Sequence, residues 1–134
     1  MHTGSCLCGA VRVEVRGELP GPDACHCSQC RRWSGHVWAS TDILRENLTV
    51  VGEERIRWFQ SSAKVRRGSC EMCGSAMFWD VPGRSRIAVA MGVFDAPTGT
   101  TLAKHIFTAD KGDYYRIDGD DAPQERFPPA INPE

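Results

Sequence analysis

Cys6-Leu7-Cys8-Gly9-Ala10-Val11-Arg12-Val13-Glu14-Val15-Arg16 carries two signals in one stretch. From Ala10 to Arg16 apolar and polar residues alternate strictly, the period of a strand with one face buried. Before that, two thiols stand one residue apart. A bridge between them would be badly strained, whereas both can reach one metal ion. Their natural complement lies more than 60 residues on, at Cys70-Glu71-Met72-Cys73-Gly74. Gly74 follows its pair closely, as a tight turn around a metal favours, because glycine tolerates positive φ.

The rest of the chain is punctuated in the same manner. Further strands are expected at residues 37–40, 48–51, 55–59, 76–81 and 86–94, the last weakened at Gly92, with shorter ones at 105–108 and 114–117. Residues 17–23, with Pro20, Gly21 and Pro22, read as a loop, and residues 28–34 as a short helical turn with Ser28 as N-cap. Short strands, Gly/Pro turns and little helix predict a mainly-β single domain, consistent with 134 residues. Residues 128–134 form a Pro-rich tail.

Composition narrows the function classes. A net charge of −1 gives no general attraction to nucleic acid or anionic lipid. No apolar run approaches the roughly 20 residues that span a bilayer, so no membrane partner is expected. Met1 to Cys6 lacks the charged and apolar regions of a secretory signal. A cytoplasmic, reducing location follows as an expectation, and thiols there are usually ligands or catalysts.

There are seven cysteines, an odd number that a full disulfide framework would not use. They divide into four and three. Cys6, Cys8, Cys70 and Cys73 complete a tetrahedral zinc set and would tie the start of the chain to its middle, so that metal binding becomes folding free energy. Cys25-His26-Cys27-Ser28-Gln29-Cys30 supplies three thiolates in one loop. A zinc with three protein ligands keeps a position for water or substrate. A histidine could instead close the site, with His2, His26, His36 and His105 the candidates, or the loop could hold an iron–sulfur group. His26, between two ligands, is expected to point away from the shared metal.

Several neighbours carry two readings each. Ser28 and Gln29 can donate hydrogen bonds to thiolates or serve only as turn residues. Arg31 and Arg32 could pair with carboxylates of a thiol cofactor or be solvated surface charge, and Arg66 and Arg67 share that ambiguity. The four tryptophans, Trp33, Trp38, Trp58 and Trp79, read as core or pocket wall.

These stretches resemble the glutathione-dependent formaldehyde-activating enzyme family, which includes centromere protein V-like domains. The likeness runs over residues 4–127. It is carried by Gly4-Ser5-Cys6-Leu7-Cys8-Gly9-Ala10-Val11, by Cys25 to Arg32 with Ser34-Gly35, by Arg67 to Ser75, and by Lys111-Gly112-Asp113-Tyr114-Tyr115. Ser69 and Trp33 depart from the family pattern. The resemblance implies a β-tent fold, a structural zinc at Cys6, Cys8, Cys70 and Cys73, and a catalytic zinc at Cys25, Cys27 and Cys30. It also implies formation of S-hydroxymethylglutathione from glutathione and formaldehyde, a carbon–sulfur lyase reaction, with a small thiol and aldehyde as partners. Two other readings remain: a non-catalytic zinc module that binds protein or nucleic acid, and a thiol redox or metal sensor.

Overall fold

The computed structural model describes residues 1–119 and 122–129. The end of the Pro-rich tail, residues 130–134, therefore lies outside the described residues.

Valine alternation sets the first layer. In β2 (Arg12–Val15), Val13 and Val15 are each 1% exposed, while Arg12 and Glu14 face solvent. Burying such a side chain fully contributes about 1.5–3 kcal/mol. β2 is the middle of a three-stranded sheet, between β1 (His2–Ser5) and β5 (Leu48–Val51), antiparallel to both.

The second sheet holds the remaining strands: β3 (Asp23–Cys25), β4 (Trp38–Leu44), β6 (Ile56–Gln60), β7 (Arg66–Cys70), β8 (Ala76–Asp80), β9 (Arg86–Ala90), β10 (Lys104–Ile106) and β11 (Gln124–Glu125). Its order is β11-β10-β3-β4-β9-β8-β7-β6. All pairs are antiparallel except β10, which runs parallel to β3 and β11. β9 lies mid-sheet, and Ile87, Ala88, Val89 and Ala90 are buried in succession, so alternation vanishes where both faces are covered. Val11, Val13, Val15, Met77, Phe78 and Val89 are among the most deeply buried side chains of the core.

The single α-helix among the described residues, α1 (Ser28–Ser34), closes on Gly35, whose left-handed conformation (φ 92°) ends the helix. No helix among the described residues is long and apolar enough to cross a membrane.

Expectation and structure differ where pairing is non-local. Residues 86–94 do not form one strand: β9 stops at Ala90, and Met91–Val93 is a 3-10 turn containing Gly92. Residues 114–117 are not a strand; Asp113 and Tyr114 form a turn. The helix N-cap is Cys27 rather than Ser28, its sulfur accepting the Cys30 N–H at 3.3 Å. Strands β1, β3, β7 and β11 lack an alternating apolar pattern and are made by their neighbours.

Candidate metal centres and the adjoining cavity

Two turns build the first cluster. Cys6 and Cys8 follow β1; Cys70 ends β7, and Cys73 lies in the turn before β8. Gly9 and Gly74, just past each pair, adopt φ of 81° and 79°, which lets the chain fold back on the sulfurs. All four ligand atoms lie within 4.8 Å of one another. Cys6 and Cys8 sulfurs are 3.7 Å apart, and Cys8 and Cys70 sulfurs 3.8 Å. Sulfurs bound to tetrahedral zinc at about 2.3 Å stand about 3.8 Å apart, so the set fits that ion. Backbone N–H groups of Val11 and Met72 donate to Cys6 and Cys70 at 3.3 and 3.4 Å. The Ser75 hydroxyl accepts the Leu7 N–H at 3.0 Å and lies 3.2 Å from Cys73. That hydroxyl, with the Ser75 backbone, pulls the Cys73 thiol down to about 5.

The second cluster forms where β3 runs into α1. Cys25 ends β3, Cys27 caps the helix and Cys30 lies in its first turn. Their three sulfurs fall within 4.8 Å, and among the described residues no histidine or carboxylate completes the group. Hydrogen bonds from Cys25 and Cys30 drive the Cys27 thiol far down, while its neighbours push Cys25 far up. Three thiols this close cannot all ionise without a cation among them. The donor set thus fits a soft metal ion.

Arg67 supports this cluster from β7. Its Nη1 lies 3.5 Å from the Cys30 sulfur, its Nη2 donates to Gln29 Oε1 at 3.2 Å, and its guanidinium packs 5.0 Å from the Trp33 ring. Its Nε is buried with no hydrogen-bond partner. Arg66, one residue away, points to the other face, bonding Asp80 at 2.7 Å and covering Trp58. Strand alternation thus separates two arginines that the sequence alone leaves equivalent.

All three cysteines of the second cluster line a cavity of about 510 Å³. Its walls include Trp38, Trp79, Ile106 and Phe107, and its charged residues are Asp23, Asp42, Arg67, Arg84 and Asp110. Ser28 and Gln29 also line it, as do Pro128 and Pro129. Arg31 and Arg32 lie in the last turn of α1 and do not line it.

Three of the histidines are engaged elsewhere. His26, 2% exposed, turns away from the sulfurs: its Nδ1 meets Tyr115 Oη at 2.7 Å and its Nε2 meets His105 Nδ1 at 2.9 Å. His36 Nδ1 meets Tyr114 Oη at 2.9 Å. Burial, with His105, His36 and Lys111 nearby, pulls His26 down to about 4. Lys111 donates to the carbonyls of Gly112 and Tyr115, so the Lys111–Tyr115 segment is the corner that clamps His26.

Residues 1–110 match the family model described as glutathione-dependent formaldehyde-activating enzyme. The chain belongs to that family. Two curated relatives are provisionally named glutathione-dependent formaldehyde-activating enzymes. One, from Aspergillus flavus, is 29% identical over 77 residues, covering 54% of this chain and 40% of the relative. Another, from Halomonas elongata, is 32% identical over 83 residues, covering 56% and 53%. The chain thus spans about half or less of the length of these relatives. A crystal structure of a Rhodobacter sphaeroides protein superposes with a TM-score of 0.59 at 22% identity, covering 75% of this chain and 98% of that one. That likeness is one of fold. Of the cavity residues, Phe107 is left without a role by sequence reasoning, whereas Trp79, which reads as core or pocket wall, lines the cavity. Arg67 reads from sequence as a carboxylate partner or surface charge, and the structure instead places it beside the Cys30 sulfur.

Proposed function

We propose that this protein is a zinc-dependent enzyme that forms or cleaves the adduct of a small thiol, glutathione or a similar one, with a small aldehyde such as formaldehyde. The observation that carries this reading is a trio of sulfurs within 4.8 Å, with no histidine or carboxylate among the described residues completing it, lining a cavity large enough for both reactants. The family match supports the same chemistry.

Cys6, Cys8, Cys70 and Cys73 would hold a structural zinc, and Cys25, Cys27 and Cys30 a second. A zinc held by three thiolates offers a position where an incoming thiol is favoured as its nucleophilic thiolate.

The chain supplies the rest. The walls at Trp38, Trp79, Ile106 and Phe107 exclude water and hold the aldehyde close to the sulfur, and such positioning is a large part of the rate. The carbon–sulfur bond forms as the carbonyl π bond breaks. The electron pair moves to oxygen, and the proton given up by the thiol ends there. Arg67, whose guanidinium lies beside the Cys30 sulfur and lines the cavity, is the cation that stabilises the charge developing on that oxygen. The reverse sequence splits the adduct. The carboxylates of Asp23 and Asp110 suit an ammonium on the thiol, and Arg84, paired with Asp42 at 3.6 Å, suits a carboxylate that shares it. Arg31 and Arg32 retain a role only for a thiol long enough to reach out of the cavity.

Two-dimensional exchange NMR on glutathione and formaldehyde reports the rate of adduct formation directly. Zinc-loaded protein is expected to accelerate exchange above the spontaneous rate, and Cys27→Ala to remove the acceleration. Exchange at the spontaneous rate with glutathione and with other small thiols would refute the reading.

A further inference from the structure

Phe107 has φ 55° and ψ 40°, and among the described residues it is the only non-glycine with positive φ. This left-handed region disfavours any residue with a Cβ and is normally given to glycine or asparagine. The ring packs, partly buried, against the hydrophobic core, but the turn itself does not ask for an aromatic. The 3-10 turn that follows, Thr108–Asp110, takes no side-chain hydrogen bond from Phe107; only its backbone carbonyl serves, accepting the Asp110 N–H at 3.0 Å. Glycine would make that turn without strain.

The placement supplies a reason for the ring. β10 pairs in parallel with β3, with Ile106 opposite Cys25, and the Ile106 carbonyl accepts the His26 N–H at 3.0 Å. Phe107 is therefore the next residue beyond the register that holds the first sulfur of the trio. Its side chain lines the cavity with Cys25, Cys27 and Cys30. β10 ends at Ile106, and the left-handed Phe107 turns the chain into Thr108–Asp110, whose last residue also lines the cavity. Strained backbone that persists beside a reactive centre marks a residue kept for what it faces.

We propose that Phe107 is the specificity-determining wall of this cavity, its ring limiting the size of molecule that reaches the three sulfurs. The consequence for the reaction rests on the thiol–aldehyde reading given above: the smallest aldehydes are admitted and longer ones are turned away.

The test compares zinc-loaded wild type, Phe107→Ala and Phe107→Gly. Both variants delete the ring, but only glycine relieves the backbone. Cysteine alkylation by iodoacetamide and by the bulkier N-phenylmaleimide, mapped by mass spectrometry, reads access without any need for turnover, with the exposed Cys8 as internal reference. Both variants are expected to raise the bulky-to-small ratio at Cys25, Cys27 and Cys30 at least tenfold, with no such change at Cys8. Phe107→Gly should unfold at higher urea than Phe107→Ala, the reverse of the usual order. The formaldehyde-to-propanal rate ratio should fall in both. An unchanged alkylation ratio overturns the proposal, as does alanine at least as stable as glycine. If the alkylation ratio shifts but wild type turns over no thiol–aldehyde pair, the wall stands and the reaction falls.

Discussion

His26 Nδ1 and the Tyr115 hydroxyl lie 2.7 Å apart, joining residues separated by 89 positions. His26 sits between Cys25 and Cys27, so whatever fixes its ring also fixes the backbone that aims two sulfurs. Tyr115→Phe leaves the ring in place and removes the oxygen, stranding a buried nitrogen at a cost of about 1–3 kcal/mol. The expected result is a lower urea midpoint and faster loss of metal from the three-cysteine site to a chelator. Equal loss rates in variant and wild type would show that the clamp does not hold the loop.

The two clusters should respond differently to ligand removal. Cys70→Ser breaks the set that joins the β1 turn to the end of β7, where metal binding would be folding free energy. It should yield a chain without cooperative unfolding. Cys27→Ala touches a loop and one helix cap, worth about 1 kcal/mol, and should keep a cooperative transition with one metal fewer. Circular dichroism with elemental analysis distinguishes these, and the opposite pattern would reverse the assignment.

Asp80 is 1% exposed and bridges Arg45 at 2.5 Å and Arg66 at 2.7 Å. Breaking a buried ion pair costs about 3–5 kcal/mol. Here the side chains of Arg45 and Arg66 are 38% and 37% exposed and can rehydrate, so the penalty is reduced. Asp80→Ala is expected to cost about 1–3 kcal/mol by urea denaturation, without change in metal content. A neutral outcome would mean that solvent replaces the carboxylate fully.

Burial holds His26 near 4, against 6.5 for a free histidine. Its folded-state value is lowered, so below pH 6.5 the unfolded chain takes a proton that the native chain refuses until about 4. Stability linked to this group is therefore full above 6.5 and falls as pH drops toward 4. His26→Gln should flatten the pH dependence of the urea midpoint across that window relative to wild type. Parallel curves would place the loss elsewhere.

How much of this was readable in the chain depends on range. The spacing of Cys6/Cys8 and Cys70/Cys73 is local, and so is the alternation of Val13 and Val15; both appear in the structure as read. The seven-residue α1 also falls where Ser28 to Ser34 predicted a helical turn. Arg66 and Arg67 were indistinguishable because their difference is the face of β7, and β7, with Gly68 and Ser69 at its centre, has no apolar alternation to announce it. The parallel pairing of β10 with β3 brings Ile106 to Cys25 across a long stretch of chain, and no local pattern encodes that. Phe107 was hidden for a different reason: a bulky aromatic contradicts the left-handed conformation it adopts. The two residues where local preference and final geometry disagree most, Arg67 buried on a sulfur and Phe107 under strain, both face the same cavity.

Calorimetric titration of glutathione or a similar small thiol into protein carrying two zinc ions bears most directly on the proposed open position at Cys25, Cys27 and Cys30. The account predicts one thiol bound per chain, with proton release, and no binding to Cys27→Ala. Thiol binding that survives intact in Cys27→Ala, or none at all in the two-zinc protein with any small thiol, would contradict it.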